Sequence, residues 1–69
     1  MNYDVKNNFT YHPPNEEQQK VYETLRERAM ELAKRYIALC PESRELSIAL
    51  TNLEQSLFWA NASIARNKK

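Results

Sequence analysis

Apolar positions recur along this chain in two runs with helical spacing. The first is Tyr22, Leu25, Ala29, Leu32, Tyr36, Leu39, with steps of 3, 4, 3, 4, 3. The second is Leu46, Leu50, Leu53, Leu57, Ala60, Ile64, with steps of 4, 3, 4, 3, 4. Alternating three- and four-residue steps place each set on one face of a helix. Only Cys40-Pro41-Glu42-Ser43 separates the two helices these runs predict. A link this short returns the second helix antiparallel to the first. The pattern therefore predicts an all-α fold, an antiparallel two-helix hairpin.

The ends of both helices are marked by capping chemistry. Asn15 is an N-cap with Gln18 as its capping-box partner, and Glu16 and Glu17 suit the positive end of the helix dipole. Pro41 cannot continue the hydrogen-bond ladder, so helix one ends at Leu39 or Cys40. Ser43 caps helix two, with Glu45 in its first turn. Helix two is expected to reach Ile64 or Arg66, leaving Asn67-Lys68-Lys69 as a frayed basic end. The chain thus divides into an N-terminal arm (1–14), helix one (15–40) and helix two (43–66), all within one domain. In the arm, Tyr3 and Val5 are compatible with a short helical turn or with an extended strap. Phe9-Thr10-Tyr11-His12 precedes Pro13-Pro14, which favours an extended backbone there.

Apolar residues remain after the seams are assigned. Val21, Met30, Ala33 and Ile37 lie off the first seam, and Ile48, Phe58, Trp59 and Ala62 off the second. They either widen the intramolecular face or form a second interface. Size favours the interface: 69 residues make one small domain, and a core of that size rarely contributes more than ~3–5 kcal/mol without a staple. One cysteine excludes an intrachain disulfide, and one histidine without a Cys/His cluster argues against structural zinc. Self-association is the route left, so a homo-oligomer is expected.

Composition removes other classes. Glycine is absent, and with it any Walker loop, dinucleotide-binding glycine fingerprint or nucleophile elbow. A net charge of +1 is too small for a dedicated duplex-DNA binder. No apolar run approaches the ~20 residues of a membrane span. Residues 1–8 are polar, unlike a signal peptide. The free thiol fits a reducing compartment.

Candidate chemistry is sparse. His12 has no evident activating partner, and Cys40 reads as a small residue ending a helix beside the core. Glu16/Glu17, Glu23/Glu27 and Glu27/Glu31 fit a solvated charged face better than acid–base catalysis, with Glu31–Arg35 and Glu23–Arg26 as expected ion pairs. No catalytic residue, cofactor or metal is expected. Two constellations remain. Tyr11 and His12 sit on the proline-stiffened arm, with Arg26 and Arg28 on the next helix. An aromatic face stacks on a nucleobase and a guanidinium binds phosphate. The plain alternative is that Tyr11 staples the arm to the helix while Arg26 pairs with Glu23. Arg66 follows the small residues Ala60, Ala62 and Ala65, so several helix ends meeting there would gather guanidinium groups around an anion. Its plain alternative is ordinary C-terminal capping.

Taken in order, Phe9-Thr10-Tyr11-His12, Tyr22-Glu23 with Arg26, Cys40-Pro41-Glu42-Ser43-Arg44-Glu45, Ala49-Leu50-Thr51 with Leu53-Glu54, and Trp59-Ala60-Asn61-Ala62 with Ile64-Ala65-Arg66-Asn67 resemble the bacteriophage anti-CBASS sponge family, the second anti-CBASS protein type. Its helical hairpin is shared with a phage anti-Thoeris sponge. The resemblance covers about Phe9 to Asn67. It implies a small, all-helical, non-enzymatic hexamer in the cytoplasm of the infected bacterial host. Such a protein sequesters cyclic di- and trinucleotide immune messengers, such as cyclic GMP-AMP and cyclic tri-adenylate. It further implies that Tyr11 stacks on a base, Arg26 contacts phosphate and His12 neighbours them in a cyclic dinucleotide pocket between protomers. Arg66 and Thr10 would serve a separate cyclic trinucleotide site near a three-fold axis. The competing reading is a helical-hairpin adaptor that docks a host protein through Phe58, Trp59 and Ile48.

Overall fold

The computed structural model describes residues 3–67. The basic end Lys68-Lys69 and the first two residues of the arm lie outside that range. Three helices occur among the described residues: α1 (Val5–Phe9), α2 (Glu16–Leu39) and α3 (Arg44–Arg66). No strand occurs among them.

Short-range capping sets the helix starts. The Asn15 side chain accepts from the Gln18 amide at 2.8 Å, and the Gln18 side chain accepts from the Asn15 amide at 3.1 Å. This reciprocal pair satisfies two amides at the N-terminus of α2, counting that of the cap itself. Ser43 Oγ accepts from the Leu46 amide at 3.1 Å and starts α3. At the far end of α2 the Cys40 amide still donates to the Tyr36 carbonyl, and the chain then turns extended before Pro41.

α2 and α3 pack as an antiparallel hairpin. Gln18 Nε2, in the first turn of α2, donates to the Ile64 carbonyl in the last turn of α3 at 3.5 Å. The inward positions of α3 are Leu46, Leu50, Leu53, Leu57, Ala60 and Ile64, all half-buried. On α2 they are Tyr22, Leu25, Ala29, Ala33 and Tyr36. Two seam assignments change. Ala33 replaces Leu32 in the face, and Leu39 is 79% exposed at the hairpin corner. A strict seven-residue repeat drifts about 20° per heptad on a straight helix, which carries the last apolar position away from the partner. Ala62, placed off the seam by spacing, is half-buried.

The arm resolves into a helix. α1 takes in Phe9, which the proline context had favoured as extended; extended backbone begins at Thr10. Asp4 caps it, accepting from the Asn7 amide at 3.0 Å. Cys40 is exposed and does not sit beside a core. The two expected ion pairs give way to a different one. Among the described residues the ion pair is Arg28–Glu31 at 3.1 Å, on an exposed face.

No described side chain is fully buried. The chain is one helix layer thick, 42 × 32 × 16 Å. It exposes 6312 Å². A compact monomer of its 8.2 kDa would expose about 4,500 Å². The surplus, roughly 1,800 Å², includes Phe58 and Trp59 on α3, 64% and 66% exposed.

Candidate functional site

α1 is too short to persist by its own hydrogen bonds, since isolated helices below ~12 residues are marginal. Tyr3, Val5 and Phe9 are all largely exposed, so apolar burial does not hold it either. Side-chain donors to its carbonyls do. Thr10 Oγ1 donates to the Lys6 carbonyl. His12 Nε2 donates to the Asn7 carbonyl at 2.7 Å. Arg66 Nη2 donates to the Asn8 carbonyl at 3.5 Å. Three of the four carbonyls that end a helix without intrahelical partners are thereby met. A carbonyl only accepts, so the hydrogen of His12 sits on Nε2.

The C-terminus of α3 is capped in the same manner. Asn67 donates to the Ser63 carbonyl from its backbone amide at 3.2 Å and from Nδ2 at 3.0 Å. Gln18 reaches the Ile64 carbonyl. Asn7 Nδ2 reaches the Arg66 carbonyl at 3.0 Å. The arm, the start of α2 and the end of α3 thus converge on one end of the hairpin. The Arg66 guanidinium also lies 5.9 Å from the centroid of the Trp59 ring, a cation–π distance. It does not act as the ordinary C-terminal cap of α3; it reaches across to α1.

This arrangement divides the five candidate residues. Thr10, His12 and Arg66 are engaged in holding α1. Tyr11 and Arg26 make no side-chain hydrogen bond or ion pair among the described residues. Tyr11 is 80% exposed, so it does not staple the arm to the helix. Its neighbours Thr10 and His12 are both tied to α1, which leaves a ring held out by a restrained backbone.

Two grooves flank this end. One, of about 670 Å³, is lined by Glu16, Gln19, Lys20, Tyr22, Glu23 and Arg26. The other, of about 260 Å³, is lined by Asp4, Lys6, Asn7, Thr10 and His12. The larger is an open, polar depression formed by α2 alone. Arg26 and Tyr11 do not line a common groove in the single chain, whereas Thr10 and His12 do. Sequence reasoning missed Asn7, whose side chain and backbone join the arm to α3. It also missed Gln19 and Lys20 beside Arg26. The i, i+3, i+7 spacing of Glu16, Gln19 and Glu23 was the available signal for that groove. One further polar atom stands out: Asn61 Oδ1 is buried without a hydrogen-bond partner among the described residues.

Geometry defines the class: a thin helical hairpin with a small capped arm, offering an aromatic ring and a guanidinium without hydrogen-bond partners among the described residues, and much uncovered apolar surface. The family model described as Acb2/Tad1, hairpin domain, matches residues 1–65. The chain belongs to this family, that of the anti-CBASS and anti-Thoeris sponges. A nucleotide-sponge role is consistent with that membership, and the family is of non-enzymatic, sponge type. No curated protein and no solved structure matches the chain. Among the described residues, no helix is long and apolar enough to cross a membrane, and no cluster of His, Cys, Asp and Glu could hold a metal ion.

Proposed function

We propose that this protein is a homo-oligomeric sponge, a hexamer as the family resemblance implies, that captures cyclic di- and trinucleotide immune messengers in the cytoplasm of the infected bacterium. Family membership over residues 1–65 is the observation that carries the reading. Supporting it are the surplus surface and the free pair Tyr11 and Arg26. A surplus of roughly 1,800 Å² corresponds to about two faces of ~800 Å² each, the area one partner contributes to a standard interface. Burying Phe58, Trp59 and the neighbouring apolar positions between copies would use that surface.

A two-fold contact presents each residue twice. Tyr11 from one copy and Arg26 from its partner then complete a site that one chain leaves divided. A cyclic dinucleotide has two bases and two phosphates, which matches two rings and two guanidiniums. Two stacks at ~1–3 kcal/mol each and two charged hydrogen-bonded contacts at ~1.5–3 kcal/mol each give a gross ~5–12 kcal/mol. Nanomolar capture needs about 12 kcal/mol. The closed ring of the ligand lowers the ordering cost, and apolar walls contribute the remainder. His12 borders the dinucleotide site, with Nδ1 making no hydrogen bond among the described residues. Arg66, with Thr10, serves the trinucleotide, since a guanidinium has five donors and the Asn8 contact occupies one. Capture requires no bond to be made or broken.

The test is calorimetry with cyclic GMP-AMP, then recovery of the ligand from heat-denatured complex. Tight binding with intact ligand returned supports a sponge. Linear product identifies a phosphodiesterase, and absence of binding removes the nucleotide reading.

A further inference from the structure

The arm has no apolar anchor, yet it carries the Tyr11 ring. Its placement therefore depends on polar contacts, and these meet at one residue. Asn7 receives three hydrogen bonds' worth of attachment through three different groups. Its backbone amide donates to Asp4 Oδ1 at 3.0 Å, which starts α1. Its backbone carbonyl accepts from His12 Nε2 at 2.7 Å, which folds the segment after α1 back onto it. Its side-chain amide donates to the Arg66 carbonyl at 3.0 Å, which fastens the arm to α3. Only the last of these depends on the identity of the side chain. Asn8, next to it, contributes its backbone carbonyl to Arg66 and no side-chain hydrogen bond among the described residues.

We infer that Asn7 is a positioning residue for ligand capture: its side-chain amide latches the arm to the carbonyl end of α3 and so holds the Tyr11 ring where a nucleobase can stack on it. The inference rests on the nucleotide-sponge reading. Asn7 itself touches no ligand. An unlatched arm would sample many positions, and the apparent affinity would fall by the fraction of time Tyr11 is in place. The Arg66 carbonyl is a receptor for the latch because the last carbonyls of a helix lack intrahelical donors. Its strength is that of one partly buried hydrogen bond, enough to bias a five-residue helix whose other hydrogen bond to α3 is the 3.5 Å contact from Arg66 to the Asn8 carbonyl.

The experiment compares the full chain with Asn7→Ala and Asn8→Ala, using hydrogen exchange over residues 3–14 and calorimetry with cyclic GMP-AMP. Asn7→Ala is expected to speed exchange in the arm, leave α2 and α3 protected, and weaken binding about tenfold. Saturating cyclic GMP-AMP is expected to restore protection in the arm of that variant, which a merely misfolded arm would not do. Asn8→Ala is expected to match the unmodified chain in both measurements. Wild-type affinity in Asn7→Ala despite a fast-exchanging arm overturns the inference. So does an equal loss in Asn8→Ala, and so does an arm whose exchange is unchanged by Asn7→Ala. If the unmodified chain takes up no cyclic GMP-AMP while its arm is protected, the sponge reading fails and takes the positioning role with it. The exchange data would then still show whether the latch exists.

Discussion

Asn7 and Arg66, separated by 59 positions in sequence, are joined across the end of the hairpin, and a second hydrogen bond runs back from Arg66 to the arm. Asn7 Nδ2 donates to the Arg66 carbonyl, and the Arg66 guanidinium reaches the carbonyl of the very next residue, Asn8. Each helix end lends a donor to the other's orphan carbonyls. The side chain of Arg66 is therefore separable from its backbone: substitution removes the guanidinium and leaves the carbonyl that Asn7 uses.

That separation sharpens what Arg66→Ala should do. The guanidinium contact to Asn8 is long, at 3.5 Å, so the arm should stay in place through Asn7. Affinity for cyclic tri-adenylate is expected to fall by at least about a hundredfold, since a three-fold site loses one charged contact from each copy, and affinity for cyclic GMP-AMP by less than about threefold. Parallel titrations with the two ligands check this. Equal losses would mean that the two messengers do not use separate sites.

Tyr11 and Arg26 should be removable without harm to the fold, because both are exposed and neither makes a side-chain hydrogen bond among the described residues. Tyr11→Ala in a two-fold site removes two stacks, about 2–6 kcal/mol of binding. Arg26→Ala is expected to cost a similar amount. Circular dichroism and oligomer mass should be unchanged in both. Full cyclic GMP-AMP binding by both variants would withdraw the site assignment.

Stability should respond to the caps. Asn15→Ala and Ser43→Ala each remove a side-chain acceptor at a helix start, and each is expected to destabilise the protein by about 1 kcal/mol. The caps stand at opposite ends of α2, so the double variant should lose about 2 kcal/mol. Urea denaturation at fixed protein concentration measures it. Losses under a few tenths would show that neither cap matters in the assembly.

Phe58 lies mostly on the outside of the single chain, so Phe58→Glu costs the isolated hairpin little in packing. If copies cover this face, the carboxylate is buried unpaired and assembly fails. Sedimentation velocity should show a shift to smaller species with helicity retained. An intact assembly would leave Phe58 free to dock another protein, as an adaptor would.

Much of the fold was legible because its determinants are local. Asn15, Gln18 and Ser43 act within three residues of themselves, and the apolar seams repeat at helical spacing. Leu39 and Ala33 were misplaced because a 3–4 alternation idealises a helix that turns every 3.6 residues. The arm was not legible. Its docking is polar, spans nearly the whole chain and has no period, so nothing in the pattern announces that Asn7 meets Arg66. Thr10, His12 and Arg66 drew notice as chemistry-bearing types, and the structure uses all three on the carbonyls of α1.

The central claim is that copies of this hairpin associate and that the association holds a cyclic messenger. Light scattering of the protein with and without cyclic GMP-AMP, followed by analysis of ligand released on boiling, reads both halves at once. A discrete multimer that retains the nucleotide and releases it unaltered is the predicted result. A stable monomer of about 8.2 kDa that ignores the nucleotide would contradict it.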